Sequence, residues 1–172
     1  MVDYLAGYSE ELRDKALRLR REGVLEARLM ERYAAGHAIT TNAALYEFAQ
    51  ELKREHLRSS PPLSKVRYND KISTLHRAFG LHTYAVRVQG GNLKSQNEIS
   101  IASLFKELPL EFLRMVVVHE LAHLRHKDHD KAFYRLCEHM EPEYMRYELD
   151  LRLLLFARQE REREARPEPN AP

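Results

Sequence analysis

Val118-His119-Glu120-Leu121-Ala122-His123-Leu124-Arg125-His126-Lys127-Asp128-His129 is the most informative stretch of this 172-residue chain. It continues an apolar run that includes Leu113, Val116 and Val117. With Pro109 at the position of a first helical residue, the run predicts a buried helix from Leu110 to about His126. On such a helix His119 and His123 project from one face and can grip one ion. Glu120 follows the first of them directly and stands beside the ion, where a carboxylate can take a proton from water and later pass it to a leaving group. This is the H-E-x-x-H arrangement. Burying two imidazoles and a carboxylate on an apolar helix without an ion would be costly, which favours a zinc (Zn2+) site over a chance match.

A catalytic zinc takes three protein ligands and keeps a position open for water. His126 shares the helix face, but at about 1.5 Å per residue its Cα stands roughly 10 Å along the axis from that of His119. His129 lies past the turn expected at Lys127-Asp128, where the chain can fold back, and is the better-placed third ligand. Asp128 and Asp130 are alternatives, although Asp130 is equally suited to capping the next helix. Elsewhere Tyr134 reads as a core-facing aromatic rather than an oxyanion donor. Cys137 reads as a small core residue, and His76 and His82 as surface histidines.

Outward from the motif, Asp130 opens a helix carrying Phe133, Tyr134 and Leu136. Pro142 opens another that runs through Tyr147, Leu149, Leu153 and Phe156. Upstream, Val66-Arg67-Tyr68, Thr83–Gln89 and Ile99–Ala102 read as three short strands, the second closed by Gly90-Gly91-Asn92. Residues 9–33 read as helix, with Ser9 as cap and Gly23 as an interruption. A second helix, capped by Thr41 or Asn42, follows the Ala34-Ala35-Gly36 break and stops at Ser59-Ser60-Pro61-Pro62. The expected organisation is an N-terminal helical region over 1–62, a catalytic core over 63–160 and a charged, disordered tail over 161–172. The expected fold class is α+β, with a three-stranded sheet packed on the active-site helix.

Composition narrows the class. With 44% hydrophobic and 31% charged residues, 6 Gly and 7 Pro, the chain fits an ordinary globular domain. A single cysteine excludes an internal disulfide framework and a Cys-only zinc site. No run approaches the roughly 18 apolar residues of a spanning helix. The first residues, Met1-Val2-Asp3-Tyr4-Leu5, lack the basic and apolar regions of a secretory signal, so the expectation is a cytoplasmic protein with no membrane partner. Net charge is +2, but residues 61–106 hold 7 basic against 2 acidic side chains, enough to attract an anionic ligand.

The ligand spacing resembles that of the YgjP-like zinc metallopeptidases, whose line is H-E-L-x-H-x5-H followed by an aromatic at the position of Phe133 or Tyr134. Met140-Glu141-Pro142-Glu143-Tyr144-Met145-Arg146 resembles that family's Met-Pro-Asp-Tyr/Trp stretch, and Glu98-Ile99-Ser100-Ile101 its strand before the active-site helix. The likeness spans about residues 64–156. It implies a zincin-like fold in which His119, His123 and His129 bind zinc and Glu120 is catalytic. His129-Asp130-x-x-Phe133-Tyr134 is also similar to the WLM proteases related to DNA–protein crosslink repair. Where the family has a Trp-Gly-Ser stretch, this chain has Val86-Arg87-Val88-Gln89-Gly90-Gly91 and no tryptophan at all.

Three functions follow as expectations. The first is a metalloprotease acting on a peptide or protein substrate, with Glu120 activating the water and the Ile99–Ala102 strand pairing with an extended peptide. The second is a zinc-dependent hydrolase of a non-peptide anion such as a nucleotide, supported by the basic middle section. The third is a non-catalytic module stapled by zinc, which would need a fourth protein ligand such as His126 or Asp128. The sequence does not assign an oligomeric state.

Overall fold

The computed structural model describes residues 3–70, 72 and 97–164, the last five of them as backbone alone. In chain order the described elements are α1 (Glu10–Arg21), α2 (Leu25–Met30), α3 (Asn42–His56), β1 (Leu63–Asn69), β2 (Asn97–Ala102), a short 3₁₀ turn (Ser103–Lys106), α4 (Leu110–Ala122), α5 (Lys131–Met140) and α6 (Tyr144–Glu164). The architecture is α+β. Among the described residues the sheet has two strands and not the expected three; the strand expected at Thr83–Gln89 lies outside them.

β1 and β2 run parallel, with Val66 opposite Ile99 and Tyr68 opposite Ile101. A parallel pair cannot be closed by a tight turn and needs a crossover connection, here the segment between Asn69 and Asn97. His76, His82, Arg87 and Lys94 belong to that segment and lie outside the described residues.

Side-chain caps start three of the six described α-helices. Ser9 Oγ accepts the Leu12 N–H at 3.3 Å, Thr41 Oγ1 the Ala44 N–H at 3.2 Å, and Asp130 Oδ1 the Phe133 N–H at 2.8 Å. Each side chain satisfies a donor that a helix start leaves open. Gly23, at φ +72°, takes the left-handed conformation that lets the chain leave α1 and re-enter as α2, so residues 9–33 form two helices. Pro109 stands at the cap of α4, one residue before the helical position expected for it. α6 begins at Tyr144, two residues after Pro142, and continues four residues into the expected tail.

α4 organises the interior. Phe112, Leu113, Met115, Val116, Val117, Val118, Leu121 and Ala122 are all buried, so the helix is apolar around most of its circumference. It packs on α3, β2, α5 and α6, and its side chains share one core with Leu45 and Leu52 of α3 and Leu151 and Leu154 of α6. Each fully buried side chain of this size contributes about 1.5–3 kcal/mol. A helix so placed can carry a few buried polar groups at a cost of several kcal/mol each. The N-terminal helices are tied to α6 by polar contacts: Tyr33 donates to Asp150 at 2.6 Å, and Arg158 pairs with Glu26 at 3.0 Å. No described helix is long and apolar enough to cross a membrane.

Candidate metal centre

The helix expected to reach His126 ends at Ala122, and His123 occupies the cap. Beyond it the hydrogen bonds tighten, Leu124 N–H to the Leu121 carbonyl and Arg125 N–H to the Ala122 carbonyl, which turns the backbone off the helix axis. That turn brings the His126 carbonyl within 2.9 Å of His123 Nδ1. A carbonyl only accepts, so Nδ1 of His123 carries the proton and its Nε2 presents a lone pair when the ring is neutral.

The turn also returns His129 towards α4. The Nε2 atoms of His119, His123 and His129 form a triangle with sides of 3.3, 3.1 and 3.1 Å. Such a triangle cannot satisfy three ring nitrogens by hydrogen bonds among themselves, since each Nε2 offers either one proton or one lone pair, so at most one such bond forms and one nitrogen is left without a partner within the triangle. It does match the edge of a tetrahedron around an ion: at a metal–nitrogen distance of about 2.0–2.1 Å, ligand atoms stand about 3.3–3.4 Å apart. The donor set thus fits one metal ion held by three imidazoles. His126 and Asp128 do not enter the group, and Asp130 serves as the cap of α5. His119 and His123 are partly buried, whereas His129 is exposed, so the cluster is open on the His129 side.

The floor of the cluster is apolar. Phe133 is fully buried, with its ring centroid 4.9 Å from His119 and 4.7 Å from both His123 and His129. Tyr134, expected to face the core, is only partly buried, packing on the core while standing 6.4 Å from the His129 ring. Burial holds the pKa of His119 well below its ordinary value, aided by the charges that His123 and His129 would carry. Burial also lowers that of His123, against the upward pull of its hydrogen bond to the His126 carbonyl and with the charge that His129 would carry. Low pKa values keep these rings neutral, the form that binds a metal.

Glu120 is 1% exposed, and its Oε1 is buried with no hydrogen-bond partner among the described residues. Burial holds its carboxyl pKa well above the usual carboxylate range. An orphaned carboxylate oxygen costs stability that packing alone would not retain, and it is the group the sequence marks for proton transfer. A cation on the neighbouring imidazoles would favour its ionised form.

Two contributors escaped the sequence reading. Phe133 is recognisable there as a helix residue and as one of two candidates for the aromatic that follows the ligand spacing, with no role assigned to it. Tyr144, whose phenol oxygen lies 2.7 Å from His119 Nδ1, comes from α6. The only sequence signal for it is the stretch around Pro142, which assigns it no role.

Three convergent imidazoles, with a buried carboxylate next in sequence to one of them, are the equipment of a metal-dependent hydrolase. Residues 31–153 match the family model described as the YgjP-like metallopeptidase domain. The chain is 50% identical over 154 residues to the UTP pyrophosphatase of Escherichia coli (strain K12), a match that covers 90% of this chain and 92% of that protein. The chain therefore belongs to the YgjP-like family. No solved structure matches it significantly.

Proposed function

We propose that this protein is a zinc-dependent hydrolase of a nucleoside triphosphate of the UTP kind, built on a zincin-like core. In the reaction water attacks the α-phosphorus, the α–β anhydride breaks, and a nucleoside monophosphate and pyrophosphate leave. The observation that carries the reading is the set of three convergent Nε2 atoms, together with the buried Glu120 that follows the first of these histidines and whose Oε1 has no hydrogen-bond partner among the described residues. The substrate class is supported by the half-identical relative named for UTP, and the basic 61–106 section suits an anion.

His119, His123 and His129 would hold the ion, which supplies Lewis acidity and acidifies water. Glu120 receives the proton of the attacking water on its carboxylate. A bound cation would favour its ionised form, while burial raises its affinity for protons, so it can accept the proton and return it to the departing oxygen afterwards. Phe133 keeps the far side of the imidazoles dry, and the exposed His129 side admits substrate.

Peptide hydrolysis by the same groups is the second reading, favoured by the family model's description as a metallopeptidase domain. Incubating zinc-loaded protein with UTP, CTP, ATP, casein and an unfolded polypeptide separates the two. UMP and pyrophosphate in equal amounts are expected from UTP. Cleavage of the polypeptides with the triphosphates left intact would overturn the proposal in favour of the second reading.

A further inference from the structure

Behind the imidazoles lies a second layer of polar groups. Tyr144 is completely buried, and its ring stacks within 15° of parallel to that of His119 while its phenol oxygen sits 2.7 Å from His119 Nδ1. The buried Cys137 thiol is within hydrogen-bonding range of the same phenol.

A phenol has one proton to donate and lone pairs to accept with, so the chain through Tyr144 can run in either direction. Only one direction leaves His119 Nε2 unprotonated: His119 Nδ1–H donates to the Tyr144 oxygen, and the Tyr144 O–H donates to Cys137 Sγ. The opposite direction would put the proton on Nε2, inside the triangle with His123 and His129.

The placement of Tyr144 is itself fixed from α4, the helix that carries His119. Arg114 of α4 pairs with one oxygen of Glu141, whose other oxygen accepts the Glu143 N–H at 3.2 Å. The Tyr144 N–H donates to the Glu141 carbonyl at 2.9 Å. One helix thus presents the ligand and also anchors the turn that delivers the phenol.

We infer that Tyr144 is a positioning residue for the metal: by accepting the Nδ1 proton of His119 it fixes the tautomer and ring angle that aim Nε2 at the ion. The inference rests on the metal reading proposed above. Outer partners of this kind typically change metal affinity by about 10–100-fold when removed.

The test compares wild-type protein with Tyr144→Phe, which deletes one oxygen and keeps the ring. Zinc affinity is measured by chelator competition, and the imidazole N–H resonances of the zinc-loaded proteins by nitrogen-15 NMR. The variant is expected to bind zinc about 10–100-fold more weakly. Its His119 Nδ1–H is expected to move upfield and exchange faster with water. Equal affinities with an unchanged resonance would overturn the assignment of Tyr144 while leaving the metal reading intact. A wild-type protein that takes up no zinc would overturn both. Should the variant fail to fold, the wild-type spectrum decides alone: a downfield, slowly exchanging His119 Nδ1–H is expected, and a rapidly exchanging one refutes the contact.

Discussion

His123 Nδ1 lies 2.9 Å from the backbone carbonyl oxygen of His126, so His126 reaches the metal centre through its main chain and not through its ring. The contact sets the tautomer of one imidazole and marks where the chain turns to bring in another. His126→Ala keeps that carbonyl and is expected to hold zinc near one ion per chain. His129→Ala removes a corner of the triangle and is expected to lose most of it. Zinc at about 100 times its dissociation constant would raise the stability of the His126 variant by about 2.7 kcal/mol and leave that of the His129 variant almost unmoved. Metal content and melting temperature of the two purified proteins check this, and the reverse pattern would make His126 the ligand.

Tyr33 and Asp150 join the N-terminal helices to α6. Asp150 is 2% exposed and accepts from the Tyr33 phenol and, at 3.2 Å, from Arg32. Tyr33→Phe removes a hydrogen bond to a charged acceptor, an interaction in the range of about 1.5–3 kcal/mol. Urea unfolding should show a loss of that size, with the denaturant slope unchanged. A loss under about 0.5 kcal/mol would mean that water replaces the phenol, as at ordinary surface sites.

Tyr68 provides a pH-dependent counterpart. Its phenol donates to the Ile39 carbonyl at 2.6 Å, and burial pushes its pKa up to about 12. In the unfolded chain it ionises near pH 10. Between those values the folded state binds more protons, so this residue's stabilising contribution is complete below about pH 10 and is lost as pH rises towards 12. Melting temperature should therefore fall above about pH 10, and Tyr68→Phe should fall less steeply while starting lower at neutral pH. Parallel curves for the two proteins would show that the phenol is not what limits alkaline stability.

The motif helix, the caps at Ser9, Thr41 and Asp130, and two strands were legible in the sequence because each depends on residues close together in the chain. The return of His129 was legible for a similar reason: rise per residue rules out His126 on a straight helix, and a short turn brings the next histidine back. The end of α4 at Ala122 was not legible, since no Gly or Pro marks it and the bond that ends it involves a backbone carbonyl that any residue would offer. Tyr144 is 25 residues from its histidine partner, so only the packing of α6 on α4 reveals the pair. The choice between the peptide and nucleotide substrates that the sequence offered is not encoded in the motif. H-E-x-x-H encodes how water is activated, and the same equipment serves an amide or a phosphoanhydride.

Glu120 tests the chemistry most directly, because a buried carboxylate on an apolar helix, with Oε1 lacking a hydrogen-bond partner among the described residues, costs stability. Glu120→Gln keeps the shape and removes the proton acceptor. In zinc-loaded protein, turnover of the validated substrate is expected to fall by about 10²–10⁴-fold, with zinc content unchanged because no ligand is lost. The metal-free protein should respond in the opposite sense. Burial raises the folded-state pKa of Glu120 above its unfolded value of about 4.3, so the folded state binds the extra proton. Its contribution to stability is present in acid and lost as pH rises towards the raised value. Metal-free Glu120→Gln should therefore melt higher than wild type at pH 7, with the gap closing as pH approaches 4. A variant that retains full turnover would refute the assignment. A variant less stable than metal-free wild type at neutral pH would mean that the carboxylate is held by contacts of its own and is not kept for catalysis at a cost in stability.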